Sequence, residues 1–416
     1  MVSQTLPMSG PPNGAVAGDK VTLSSSPHLA LRALLHHSTP KKLFNLALAE
    51  VEKRTKPLRA RSRPYQVSID LSNACSLRCP YCPTGALDLD PNRKLGFVDP
   101  AHVAALMDSV GPYAYIAYLY SWGEPLMHPK VAEIVSLVSS HNVLTDISTH
   151  FNLKNTAVLD AVLDAGLNHL KLSIDGATQE VYEQYRVRGR LDVVLENVRH
   201  VVAYKRAKRL RNLSIEWQFV VFDHNRHEIE AAREMAAKLG VDVFRTMPGT
   251  VPDKTTAEGD RPQADGITMP PFLRRRYGDE RQTEGDQPQE TAKPQKHASG
   301  CPFLYDMIAM QVDGGLVPCC NLYDKADDFA DGPKADLGAL WNGPTFVMAR
   351  KLFRKDLVGE LPPDLDHPCL ACPVAHAQPH LSHLIVASPT RAMAVRRPAS
   401  GSTATPKPAS ASSPMV

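Results

Sequence analysis

From residue 65 onward, apolar and β-branched runs alternate with amphipathic stretches. The runs are Tyr65–Leu71, Tyr113–Trp122, Val143–Thr149, His169–Asp175, Leu213–Phe222 and Val241–Met247. Stretches with a helical repeat separate them, at 100–110, 129–140, 155–165, 178–208 and 225–239. In one of these, Val158, Leu159, Val162 and Leu163 form a single stripe closed by Gly166. Strand–helix repetition of this kind predicts an α/β fold with a parallel sheet. Six units fall short of a closed eight-fold barrel, so a partial (β/α)6 TIM-like barrel is expected over 63–249. Function is then expected at the C-terminal ends of the strands. Ahead of the barrel, Leu31, Leu34, Leu35, Leu43, Leu46 and Leu48 recur at roughly helical spacing, and Thr39-Pro40 is a helix start. A helical extension over 29–62 is therefore expected to lie on the barrel.

The remaining segments differ in character. Residues 1–28 are rich in Gly, Pro and Ser, and the 381–416 tail in Pro, Ala and Ser, so both read as disordered. Residues 250–297 are polar, charged and aromatic-poor, which predicts a linker or excursion. A small cysteine-bearing module is expected over 298–380. Within it Met307–Val312, an Asp313-Gly314-Gly315 turn and Leu316–Pro318 read as a hairpin, and Asp336–Asn342 as the start of a short helix.

Composition changes this picture only a little. The chain has 416 residues, 43% of them apolar, with a net charge of +3. That charge is too mild, and the basic residues too scattered, to argue for nucleic acid. No apolar run reaches the roughly 20 residues of a membrane span. The N-terminus lacks the basic-then-apolar pattern of a secretory signal, so a cytoplasmic protein is expected.

The eight cysteines add most. Three lie at Cys75, Cys79 and Cys82, and five at Cys301, Cys319, Cys320, Cys369 and Cys372. In a reducing compartment two groups of thiols suggest two metal sites rather than disulfides. The first group, in Leu71-Ser72-Asn73-Ala74-Cys75-Ser76-Leu77-Arg78-Cys79-Pro80-Tyr81-Cys82-Pro83, has C-x3-C-x2-C spacing after the first strand. Three thiolates from one loop suit an iron–sulfur cube with one iron left open. Zinc and inert thiols are the alternatives, but structural zinc wants four ligands and no His stands close by in sequence.

This loop resembles the C-x3-C-x-φ-C signature of the radical S-adenosylmethionine (SAM) superfamily, with Tyr81 as the aromatic residue. The resemblance implies a [4Fe–4S] cluster on Cys75, Cys79 and Cys82 whose open iron is chelated by SAM. It also implies reductive cleavage of SAM to a 5′-deoxyadenosyl radical that abstracts hydrogen from a substrate. Further motifs extend the resemblance over about 65–248. Ser121-Trp122-Gly123-Glu124-Pro125 is similar to the family's Gly-Gly-Glu-Pro turn, with Trp122 in place of the first glycine, and implies Gly123 and Glu124 at the SAM amino group. Thr149 lies where relatives carry a Thr-Asn-Gly turn. Leu172-Ser173-Ile174-Asp175-Gly176 implies Ser173 beside SAM, and Arg186 is implied at the SAM carboxylate, as its bidentate fork suits. For Arg186 and Arg188 the alternative is a solvated charge at a helix end. Val221 and Met247 are candidates for the adenine pocket, or core.

For the second group, four-cysteine spacing serves zinc and iron–sulfur equally. Similarity to the SPASM and twitch modules that follow radical SAM barrels implies one auxiliary [4Fe–4S] cluster on Cys301, Cys319, Cys369 and Cys372. Cys320 is left as an alternate ligand or a small buried residue. The cluster's implied role is electron transfer, with a purely structural role as the alternative.

The function expected is that of a radical SAM oxidoreductase acting on a small polar metabolite such as a sugar, cyclitol or natural-product intermediate. A flavodoxin or ferredoxin would supply its electrons. Modification of a ribosomally made peptide and epimerisation are the enzymatic alternatives, and a metal-binding scaffold or redox sensor the non-enzymatic one. No catalytic acid or base is assignable from the sequence.

Overall fold

A computed structural model describes residues 27–249, 300–332, 336–376 and 378–387. The segments expected to be disordered at the two ends, and the polar 250–297 stretch, lie almost entirely outside them. Two helices come first, α1 (Pro27–His37) and α2 (Pro40–Thr55). The Thr39 hydroxyl accepts from the Lys42 amide and Pro40 opens α2, so the helix start read from the sequence is present.

Six parallel strands follow: β1 (Gln66–Ile69), β2 (Ile116–Tyr118), β3 (Leu144–Thr149), β4 (His169–Ser173), β5 (Ser214–Val221) and β6 (Val243–Pro248). Between them run α3 (Pro100–Val110), α4 (Val131–Ser140), α5 (Ala157–Asp164), α6 (Gln179–Tyr185), α7 (Leu191–Lys208) and α8 (Ile229–Leu239). The 178–208 stretch, read as one helical region, is thus two helices. They part at Arg186–Arg190, where Arg188 takes φ 71° and Gly189 packs on Tyr182.

The sheet does not stop at six strands. After α9 (Phe303–Asp306), β7 (Met307–Met310) pairs in parallel with β1, and β8 (Leu316–Val317) pairs antiparallel with β7. The strand order is β6-β5-β4-β3-β2-β1-β7-β8. The expected hairpin is therefore present, and it extends the barrel sheet. Its residues Met307, Ile308 and Met310 share one buried core with Val67, Ile69 and Leu119. The described residues end in α10 (Leu337–Trp341), α11 (Pro344–Leu352), α12 (Pro373–His376) and α13 (Ser382–Ala387).

The two faces of the sheet differ in chemistry. Ile147, Leu170, Leu172, Ile215, Trp217 and Phe219 face the helices and are fully or almost fully buried. The alternate positions, including Asp146, His169, Lys171, Glu216 and Gln218, point inward. At the N-terminal end of the strands, Ala33, Leu46 and Ala49 of the two leading helices pack with Tyr65, Tyr115, Ile116 and Leu144. The helical extension thus closes the bottom of the barrel and leaves chemistry to the other end.

Candidate active site

The Cys75 loop leaves β1 and turns back over the strand ends. Cys79 is buried, Cys75 and Cys82 half-buried. The Cys82 amide donates to the Cys79 carbonyl over 3.2 Å, which folds the C-x2-C turn. Burial pushes the Cys75 thiol up to about 12 and Cys79 up to about 11, with Arg186 pulling the latter down. Thiolates here need a cationic partner, and an iron cluster supplies one.

Gly123 is held against this loop. A Cβ at Gly123 would collide with the carbonyl oxygens of Ser72 and Ala74, so only glycine fits. The Glu124 amide donates to the Ala74 carbonyl at 2.8 Å and fixes the same contact. Trp122, the departure from the family turn, is accommodated sideways. Its ring packs on Tyr323 at 4.8 Å, its amide donates to Asp70 and its carbonyl accepts from Thr84.

The Glu124 carboxylate is buried and occupied. One oxygen accepts from the Leu126 amide (3.0 Å) and the Thr149 hydroxyl (2.7 Å), the other from the His150 amide (2.9 Å). His150 Nε2 also stands 3.3 Å from it. Glu124 and Thr149 thus hold each other, and what the turn offers outward is backbone. Ser173 is buried at the end of β4, 3.4 Å from the Ser148 hydroxyl.

Arg186 and Arg188, both open to a solvated reading in the sequence, part company. Arg188 is exposed. Arg186 donates from Nε to Asp175 at 2.6 Å and places Nη1 3.9 Å from the Cys79 sulfur. Asp175, buried, also accepts from the Val220 amide at 2.7 Å; burial raises its pKa while Arg186 draws it down. Tyr81 packs against Tyr185 and Phe222, with ring centroids 5.8 and 5.7 Å away. Val221 is half-buried beside this group, and Met247 is 37% exposed on β6.

Three positioning residues were not among the expected site residues. Asp70 caps the Trp122 amide; burial pushes its carboxyl up to about 7, against the pull of Trp122 and Arg93. His150 joins Glu124 to Ser76, and Asp175 orients Arg186. Asp175 stands in the Leu172–Gly176 motif, two residues beyond Ser173. Asp70 and His150 are visible only once the turn is folded.

The second group converges from three elements. Cys301 precedes α9, Cys319 follows β8, and Cys369 and Cys372 share a tight turn in which the Cys372 amide donates to the Cys369 carbonyl at 3.2 Å. His367 caps that turn by accepting from the Cys369 amide. The Cys319 thiol is driven up by burial and by Cys320, Cys301, Cys372 and Cys369, so these thiols lie within electrostatic reach of one another. Among the described residues no group of three or more His, Cys, Asp or Glu side chains closes on a single-ion site. An all-thiol set, with Cys319 and Cys369 buried and Cys301 and Cys372 half-buried, nevertheless has the donor chemistry of a cluster site.

Comparison with known proteins bears on the first of these sites. The radical SAM superfamily model matches residues 69–236. The chain is 28% identical over 179 residues to the PqqA peptide cyclase of Gluconobacter oxydans, covering 43% of this chain and 48% of that one. It is 29% identical over 143 residues to the GTP 3′,8-cyclase of Chlorobaculum tepidum, covering 33% and 41%. The chain thus spans about half the length of the curated relatives it matches. The fold is similar to that of Streptococcus suis SuiB bound to precursor peptide SuiA, with TM-score 0.52 and 13% identity over 80% of this chain and 74% of that one. Among the described residues no helix is long and apolar enough to cross a membrane. With the cysteine loop and the Gly123 contact in agreement with it, the match identifies residues 69–236 as a radical SAM domain.

Proposed function

We propose that this protein is a radical SAM enzyme that modifies a peptide by hydrogen abstraction, with the Cys301 group holding an auxiliary cluster. The observation that carries the reading is the three-thiol loop clamped by Gly123, with Arg186 beside Cys79. When bound, a [4Fe–4S] cluster with an open iron, together with SAM, supplies one-electron cleavage of the sulfonium and hydrogen abstraction from a C–H bond. The chain's own part is placement. Cys75, Cys79 and Cys82 would hold the cluster, and the Gly123 backbone would meet the SAM amino group. Arg186, oriented by Asp175, would keep Nη2 for the SAM carboxylate. Ser173 would line the SAM site. Tyr81, Tyr185 and Phe222 would wall off water, with Val221 and Met247 near the adenine. Cys301, Cys319, Cys369 and Cys372 would hold the second cluster, which as an electron acceptor would make the net reaction an oxidation. Electrons would come from a flavodoxin- or ferredoxin-type donor.

The peptide substrate is favoured over the small metabolite expected from the sequence because the relatives include several named PqqA peptide cyclase. GTP 3′,8-cyclase among the same relatives keeps a small-molecule substrate as the second reading. The test is anaerobic reconstitution and reduction with SAM. The expected result is 5′-deoxyadenosine from a protein with about eight irons, two cubes of four. Zinc in place of iron and sulfide would reject the reading. Mass spectrometry of peptides encoded beside the gene would then decide the substrate class.

A further inference from the structure

The inward face of the sheet carries a charged network that the cluster and SAM sites do not use. His169 on β4 bridges two carboxylates, with Nδ1 2.8 Å from Asp146 on β3 and Nε2 3.5 Å from Glu216 on β5. Burial lowers the His169 pKa, but the two flanking carboxylates outweigh it and raise it, which favours the imidazolium. Lys171 lies 2.8 Å from the Tyr120 hydroxyl and 3.4 Å from Asp146. Arg245 on β6 donates from Nε to Glu216 at 2.7 Å and from Nη2 to Gln218 at 3.0 Å. Three cations therefore face two carboxylates.

The surplus positive charge is accompanied by unused donors. Lys171 has three N–H bonds and two acceptors, the second of them long. Arg245 Nη1 meets no acceptor among the described residues. Both groups also act on one neighbour: against the upward push of burial, Glu216 is pulled down by His169, Arg245 and Lys171. Solvent reaches the set, for Tyr118, Tyr120, Ser148 and Gln218 are only half-buried and the Arg245 side chain is 27% exposed. Water can occupy the unused N–H groups, and a carboxylate that displaces it gains charge-assisted hydrogen bonds there.

We propose that Lys171 and Arg245 form an anion subsite inside the barrel that receives one carboxylate of the substrate. A single surplus charge matches a carboxylate; a phosphate monoester, with a charge approaching two, would leave the set negative. The Arg245 fork suits planar bidentate recognition, while Lys171 acts as a point charge. The proposal rests on the peptide reading for its carrier, an Asp or Glu side chain, but not for its charge.

The test is calorimetric titration of reconstituted holoenzyme with the blocked tripeptides Ac-Ala-Glu-Ala-NH2, Ac-Ala-Gln-Ala-NH2 and Ac-Ala-phosphoSer-Ala-NH2. The glutamate peptide is expected to bind at least about tenfold more tightly than the glutamine peptide, a difference of about 1.4 kcal/mol. Lys171→Met and Arg245→Gln should each erase most of that preference, and Lys171→Arg should restore it. Arg245 is partly exposed, so Arg245→Gln should fold even where Lys171→Met, beside buried Asp146, does not. Equal binding of the glutamate and glutamine peptides, a preference that survives in folded Arg245→Gln, or tightest binding of the phosphoserine peptide would each overturn the assignment. Deoxyadenosine formation in the same samples reports separately on the radical SAM reading: a glutamate preference in protein that cleaves no SAM supports the subsite and rejects that reading.

Discussion

Cys75, Cys79 and Cys82 leave one loop after one strand, whereas the thiols of the second group come from a helix start, a strand end and a turn spread between 301 and 372. Each group contains a C-x2-C step closed by the same amide-to-carbonyl bond, Cys82 to Cys79 and Cys372 to Cys369, both 3.2 Å. What differs is the rest of the frame. Around the loop, the partners come mainly from barrel elements in chain order: Gly123 after β2, Glu124 with Thr149 on β3, and Asp175 with Arg186 after β4. Around the second group, long-range joints set the geometry. Arg350, buried in α11, donates to the carbonyls of Leu304, Leu58 and Trp341. Asn342 exchanges two bonds of 2.8 Å with the Ala60 backbone. One site is a local motif on a scaffold; the other exists only when distant segments are docked.

The sharpest way to break this contrast is to remove one thiol from each. Cys79→Ala is expected to lower 5′-deoxyadenosine formation by at least about a hundredfold, because the chemistry resides in the cluster that this loop places. Cys319→Ala is expected to remove about half of the iron, one cube of two, while most SAM cleavage persists. Equal loss of cleavage in both variants would show that the two groups act as one site. The next effect in size tests the clamp. Gly123→Ala must push the turn away from Ser72 and Ala74, and overpacking of this kind costs about 1–3 kcal/mol. SAM affinity should fall by about tenfold or more for a displacement worth 1.4 kcal/mol. SAM titration of the reconstituted variant checks this, and an unchanged Kd would remove the clamp from the argument.

The same contrast explains what could be read from the sequence. The six parallel strands were legible because each apolar run is bounded by a helix of its own. The cysteine loop was legible because its spacing is local. The pairing of β7 with β1 was not: Met307–Met310 reads as one arm of a hairpin whatever lies beside its other edge, and parallel pairing to a strand some 240 residues earlier leaves no periodic trace. Arg186 could not be told from Arg188 by composition, because the choice is made by Asp175 and by the positive φ at Arg188. The inward charges were hidden too. Asp146, Lys171 and Glu216 stand in strands whose neighbours are apolar, and alternation alone does not say which face is the interior of a barrel.

Smaller effects fall on the joints. Arg350→Met removes a buried donor from three carbonyls and should destabilise the protein by about 3 kcal/mol, since a buried acceptor left unpaired costs about 1–3 kcal/mol. If the second site depends on docking, iron should leave it at lower urea than it leaves the Cys75 loop. Simultaneous release from both sites would contradict the separation.

The smallest expected effect concerns Asp306, where β7 meets α2. Its carboxylate accepts from Lys53 at 3.0 Å and lies near Glu50 and Tyr65. Burial raises its pKa from 3.8 to about 6, and Lys53 only partly offsets this. The folded state therefore holds this proton more tightly than the unfolded chain does. Its stabilising contribution is complete below about pH 4 and is lost as pH rises through about 6. Asp306→Asn keeps the shape and removes the titration. Urea midpoints of the two proteins measured between pH 4 and 7 should diverge accordingly, the wild type losing stability relative to the variant as pH increases. A constant difference across that range would mean that Lys53 holds Asp306 ionised throughout, and the α2–β7 joint would then be a plain ion pair.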